Sequence, residues 1–184
     1  MDNLQADERF GGKGQRKRPI AYFLTFTTYG THLIGDECGS VDNGQHCQYG
    51  QPLAPPNARR EAAARARMRE PAYVLNRDSR RIVREAIVHA CTRYGWDLSA
   101  VHVRTTHVHA VVAAVAEPEV IRNAFKAFAS RALKENGLEV RRKRRWTAKG
   151  SQRFIWTEKQ LSNAIDYVVN QQGLPMEVWT KELP

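Results

Sequence analysis

Thr105-Thr106-His107-Val108-His109-Ala110-Val111-Val112 is the stretch on which the fold turns. Its β-branched and small apolar residues, free of Pro and Gly, predict a strand. Strand side chains alternate between faces, so His107 and His109 project to one side while Val108, Ala110 and Val112 project to the other. Two imidazoles one pleat apart can grip a single metal ion or hold a phosphate. A His-x-His pair is also what a half-exposed strand carries by accident, so the rest of the chain decides its meaning.

Just upstream, Leu98 to Arg104 reads as another strand, with Val101 and Val103 alternating against His102 and Arg104. The short Thr105-Thr106 connection makes the two an antiparallel pair. Further back, Ile20 to Thr28 predicts an opening strand, with Tyr22, Leu24 and Phe26 on one face and Phe23 and Thr25 on the other. From Leu33 to about Pro56 the chain is rich in Gly, Asp, Asn, Ser and Pro, which reads as a long irregular loop. Asn57 to Glu70 is Ala- and Arg-rich with a thin apolar stripe, a basic surface helix closed by Pro71. A longer helix follows, with Asp78 as N-cap and Gly95 as terminator. Its apolar face is Ile82, Ala86, Ile87, Ala90 and Cys91.

Downstream, Glu117-Pro118 opens a helix whose stripe is Ile121, Ala124, Phe125, Phe128, Ala132 and Leu133, stopped by Gly137. Arg153 to Trp156 is a short strand. Thr157 with Gln160 forms a capping box, so a helix starts at Glu158, with Leu161, Ala164, Ile165 and Val168 as its buried stripe. Tyr167 and Gln171 are four residues apart and share a face. This order predicts an α+β fold: a ferredoxin-like antiparallel sheet with helices on one face, plus a C-terminal helix carrying Tyr167. Residues 1–18 read as a flexible basic arm, 19–175 as one domain and 176–184 as a tail in which Val178 and Trp179 have no assigned docking place.

The chain has 184 residues, enough for one domain with a proper core. It carries 29 Lys plus Arg against 19 Asp plus Glu, a formal net charge of +10. Such an excess favours a polyanionic partner, nucleic acid first. Candidate backbone contacts are Arg16, Lys17 and Arg18 in the arm, the run Arg141-Arg142-Lys143-Arg144-Arg145, and Lys149, with Trp146 available to stack a base. The longest apolar run, Ala110 to Ala116, is too short to span a bilayer, and Met1 to Asp7 shows no signal peptide. Cys38, Cys47 and Cys91 make an odd count with no paired motif, which points to a reducing cytoplasm. Cys38, His46 and Cys47 fit no familiar zinc spacing, so a zinc-stabilised protein is the weakest reading.

A phenol is a poor nucleophile at neutral pH until its target is polarised and the developing charge stabilised. His107 and His109 supply two possible metal ligands, and Gln171, or its neighbour Gln172, an amide oxygen as a third. Helical geometry favours Gln171. Mg²⁺ or Mn²⁺ bridged to phosphate suits such a mixed set. Attack by Tyr167 on a phosphodiester would leave a 5′-phosphotyrosine bond and a free 3′ hydroxyl, reversible by a second 3′ hydroxyl.

Together these residues resemble a family. His107-Val108-His109 is similar to the His-hydrophobic-His motif of the HUH single-strand nucleases. Tyr167-Val168-Val169-Asn170-Gln171 is similar to the Tyr-x-x-x-Gln helix of their single-tyrosine branch, the transposases of minimal bacterial insertion sequences and the REP-associated tyrosine transposases. Tyr22 to Thr28 followed by Tyr29-Gly30-Thr31 and Gly35-Asp36 resembles the opening of one branch, and Gly150 to Trp156 does so less specifically. The resemblance covers roughly residues 20 to 173. It implies a metal-dependent nuclease and strand transferase acting on single-stranded or hairpin DNA, with Tyr167 as nucleophile and His107, His109 and Gln171 on the metal, commonly as a homodimer. The 33–56 loop is longer than the family core requires. The rival reading is a non-catalytic nucleic-acid-binding module on the same fold, motivated by the charge, Trp146 and Trp156.

Overall fold

The computed structural model describes residues 18–37 and 54–181. Arg16, Lys17, Cys38, His46 and Cys47 lie outside the described residues. The elements are β1 (Ala21–Thr27), α1 (Ala58–Ala66), α2 (Arg77–Tyr94), β2 (Asp97–Val103), β3 (His107–Ala113), α3 (Pro118–Glu135), β4 (Ser151–Ile155), α4 (Glu158–Asn170) and β5 (Glu177–Thr180). The strands form one antiparallel sheet in the order β4-β1-β3-β2-β5. Its first four strands have the ferredoxin-like order that the sequence predicts.

Period-two alternation divides the sheet residues between two apolar layers. Tyr22, Leu24 and Phe26 of β1, Val101 and Val103 of β2, and Val108, Ala110 and Val112 of β3 face α2 and α3. That layer is the main core, closed by Ile82, Val83 and Ile87 of α2 and by Ile121, Phe125 and Leu133 of α3. On the other side, Ala21, Phe23, Ala100 and Val111 meet Val168, Leu161 and Ala164 of α4. Among the described residues the tyrosine-bearing helix is therefore the helix that packs across the face opposite α2 and α3, on the face to which His107 and His109 project. A bulge between Leu98 and Ala100 resets β2, so Leu98 joins the main core while Ala100 and His102 turn toward α4.

Several boundaries differ from the sequence reading. Asn76, not Asp78, caps α2: its side chain accepts the Ser79 N–H at 2.8 Å, and Asp78 falls in the first turn, where its charge suits the helix dipole. Helix α1 stops at Ala66, short of Pro71, because it buries no residue and has no packing to extend it. Strand β4 starts two residues early, at Ser151, because pairing with Thr25 governs it. The segment read as a tail supplies β5, with Trp179 opposite Val101 and packed on the main core. The two described ends of the 33–56 loop meet where Asn57 N–H donates to Gly35 O at 2.8 Å. Gly35 has φ +93°, and a Cβ there would lie 2.5 Å from Asn57 O, so only glycine fits.

Candidate active site

The site begins with cross-strand pairing. Thr25 of β1 lies opposite His109 of β3, His109 lies opposite His102 of β2, and Thr27 lies opposite His107. All project to the α4 side. The His107 and His109 rings come within 4.8 Å, centroid to centroid, at 67°. A threonine hydroxyl holds Nδ1 of each ring: Thr25 Oγ1 at 2.8 Å from His109 and Thr106 Oγ1 at 3.2 Å from His107. With Nδ1 engaged, Nε2 is the nitrogen each ring keeps for a ligand.

Helix α4 brings Tyr167 to this pair. Thr157 Oγ1 accepts the Gln160 N–H, and Gln160 Oε1 returns to the Trp156 N–H at 2.8 Å, so the helix starts where the capping signal places it. Nearly three turns on, the Tyr167 ring stands edge-on to His109 at 5.8 Å and to Phe23 at 5.8 Å. Phe23 in turn stacks on His109 at 5.4 Å and 25°. Tyr167 keeps 40% of its surface exposed, although its ring touches the buried pair. A phenol with that access can meet a phosphate arriving from solvent.

The two adjacent glutamines part company. Helix α4 ends at Asn170, so the i, i+4 rule no longer orients positions 171 and 172. The Gln171 amide turns back to the Asp166 carboxylate. Gln172 donates from Nε2 to Tyr167 O at 3.1 Å, and its side chain weakly opposes the downward pKa shift of both His107 and His109. The structure thus brings together His107, His109 and Tyr167, with Gln171 lining the cleft beside Tyr167 and Gln172 acting on both histidines.

Burial, reinforced by the neighbouring His32, pushes His107 down to about 4. Burial and then His107 push His109 down to about 3. Both rings are therefore neutral at pH 7, the form that ligates metal. Among the described residues no cluster of three His, Cys, Asp or Glu side chains forms a metal site. A third protein donor here would be an amide oxygen. Two neutral imidazoles with ordered Nδ1 atoms and one amide fit a divalent ion that shares its remaining positions with phosphate.

His102 is a site residue that the sequence reading did not single out. It is fully buried beside His109. Nδ1 donates to the Val168 carbonyl of α4 at 2.9 Å, and Nε2 accepts the Met176 N–H at 3.2 Å. Those two bonds fix its tautomer and tie the end of α4 and the start of β5 to the sheet. The only sequence signal was its alternation with Val101 and Val103 beside the His-x-His strand.

The basic run divides by burial. Arg145 is buried, with its guanidinium donating to the carbonyls of Arg142 and Glu139, the latter a residue at φ +49°. Arg142 donates to Pro71 O, pairs with Glu70 and Glu139, and lies 4.7 Å from the Tyr73 ring centroid. These two arginines support the loop. Arg18, Arg141, Lys143, Arg144 and Lys149 are exposed and available to phosphates. Trp146, expected to stack a base, packs on Phe26 and donates Nε1 to Ser130 Oγ at 2.9 Å. Nearby, the Lys126 ammonium donates to the carbonyls of Thr147, Ala148 and Lys149. Gly150 then passes so close to β1 that a Cβ would stand 2.4 Å from Thr25 O.

A family model described as "Transposase IS200 like" matches residues 65–171, more than half of the chain and the part holding His107, His109, Tyr167 and Gln171. Among solved structures the chain is similar to a REP-associated tyrosine transposase bound to a REP hairpin. That similarity is at 13% identity and TM-score 0.48, over 93% of this chain and 72% of the other. It is also similar to a candidate transposase from Deinococcus radiodurans R1, at 14% identity and TM-score 0.44, over 89% and 98% of the two chains. No curated protein matches it.

Proposed function

Since the chain belongs to the IS200-like transposase family, we propose that it is a metal-dependent single-stranded DNA endonuclease and strand transferase with Tyr167 as nucleophile. The observation that carries this reading is the approach of the Tyr167 ring to His109, 5.8 Å between centroids, by residues 58 positions apart on opposed elements.

The Tyr167 hydroxyl attacks the scissile phosphorus and its proton passes to solvent. The tyrosyl O–P bond forms, the P–O3′ bond breaks, and the departing 3′ oxygen takes up a proton. The DNA is then held as a 5′-phosphotyrosine, which a second 3′ hydroxyl reverses. Phe23 and His109 fix the ring from two sides, so the phenol is oriented before DNA arrives. His107 and His109 would hold Mg²⁺ or Mn²⁺ through Nε2, with Thr106 and Thr25 on their Nδ1 atoms. Gln172, whose side chain acts on both histidines, would supply the amide oxygen in preference to Gln171. When bound, such an ion would supply positive charge at the phosphate oxygens. Arg141, Lys143, Arg144 and Lys149 would hold the DNA backbone, joined by Arg16, Lys17 and Arg18 of the arm.

The alternative is a non-catalytic nucleic-acid-binding module. Phe154 on edge strand β4 and Trp156 just after it favour it: they stack at 6.2 Å and 23°, 45% and 40% exposed, a platform that needs no chemistry. Labelled single-stranded oligonucleotides with Mn²⁺ separate the two. The nuclease cuts them and stops on addition of chelator. The binding module retains the oligonucleotides uncut, with or without chelator.

On described residues no helix is long and apolar enough to cross a membrane.

A further inference from the structure

Helix α4 presents a second row beside its buried stripe. Gln160, Asn163 and Tyr167, at i, i+3 and i+7, face strand β4 rather than the sheet centre. Between this row and β4 lies a cleft of about 390 Å³. Its floor is apolar, from Phe23 and Ile155. Its far wall is Arg153, whose guanidinium lies 6.0 Å from the Phe23 ring centroid. Tyr167 closes one end, with its ring shared between the cleft and His109.

We propose that this cleft is a nucleobase subsite, which takes the unpaired base next to the phosphate that Tyr167 attacks. The proposal rests on the nuclease reading and adds a source of sequence preference to it. Because Tyr167 lines the cleft, a base joined to a phosphate held at its hydroxyl lies at the mouth of the cleft. The lining has the composition of a base pocket: an apolar floor to accept a π-face, a guanidinium plane, and amides that can pair with a base edge. Gln160 already spends Oε1 on the Trp156 N–H, which turns its amide in a fixed direction. Among the described residues Asn163 makes no side-chain hydrogen bond, and its exposed amide offers both a donor and an acceptor.

The test is fluorescence anisotropy in chelator with Tyr167→Phe protein, so that cleavage plays no part. The probes are 5′-labelled dA12, dC12 and dT12, compared with the Asn163→Leu and Arg153→Gln variants in the same background. The proposal expects the parent to prefer one homopolymer by about 5-fold or more, in line with one base-edge contact. It expects Asn163→Leu to compress that preference toward 1 while circular dichroism stays unchanged. Arg153→Gln should lower affinity for all three probes and compress the preference further. Equal affinity of the parent for all three, or a preference that survives both variants, overturns the subsite. Failure of the nuclease reading would show separately, as absence of chelator-sensitive cleavage by the Tyr167 protein.

Discussion

Thr25 Oγ1 lies 2.8 Å from Nδ1 of His109, a hydrogen bond between directly opposed residues of neighbouring strands. If the ring donates Nδ1–H to the hydroxyl, Nε2 carries the lone pair that a metal needs. Outer-sphere bonds of this kind are worth 10- to 100-fold in metal affinity. Thr25→Val keeps the shape and removes the bond. Mn²⁺ titration should show affinity reduced by about 10-fold, with the fold intact. Unchanged affinity would mean that the hydroxyl does not order the ring.

Stability should fall on acidification in a window set by the histidine pair. His107 and His109 titrate at about 4 and about 3 in the folded chain, against an ordinary value near 6.5. Between those values the unfolded chain binds protons that the folded chain refuses. Stability is therefore fully present above about pH 6.5 and is lost as pH drops toward the folded values. His102, also held low by burial, acts in the same direction. Urea midpoints should drop from pH 7.5 to 5.0, and a His107→Asn, His109→Asn double variant should flatten the drop. A variant as pH-sensitive as the parent refutes the assignment.

His102 anchors α4 to the sheet. His102→Leu leaves the Val168 carbonyl and the Met176 N–H without their partner in a buried setting. The expected loss is about 3 kcal/mol in denaturant unfolding, since each unpaired buried polar group costs about 1–3 kcal/mol. Because the bond ends beside Tyr167, cleavage should suffer even where the variant is folded. A loss below about 0.5 kcal/mol, the size of an ordinary surface change, would rule the clamp out.

How far the sequence reaches is clear from these residues. The strand carrying His107 and His109, the Thr157 cap and the position of Tyr167 are legible because short-range periodicity and capping determine them. Thr25 and His102 are not, because their partners lie 84 and 66 residues away and emerge only from strand register. Spacing alone does not separate Gln171 from Gln172, because the helix ends just before them. Strand β5 was missed because a four-residue edge strand carries little pattern of its own, and its pairing with β2 is tertiary. The basic run looks uniform as sequence, yet burial separates Arg142 and Arg145 from their neighbours.

That separation predicts opposite phenotypes within five residues. Arg145→Ala removes charged hydrogen bonds to two carbonyls and should cost about 2–3 kcal/mol of stability. Lys143→Ala and Arg144→Ala should leave stability within about 0.5 kcal/mol and each reduce the slope of log affinity for DNA against log salt by about 1. Salt titrations of binding alongside urea melts read both. A reduced salt slope for Arg145→Ala with no loss of stability would reverse the assignment.

The most direct measurement is to incubate the protein with a broad pool of labelled single-stranded and hairpin oligonucleotides and Mn²⁺, then search for DNA covalently attached to protein by denaturing gel and peptide mass spectrometry. The account predicts a chelator-sensitive adduct whose nucleotide mass maps to Tyr167 and which disappears in Tyr167→Phe. An adduct that persists in Tyr167→Phe, or salt-sensitive binding with no adduct from any member of the pool, would contradict it.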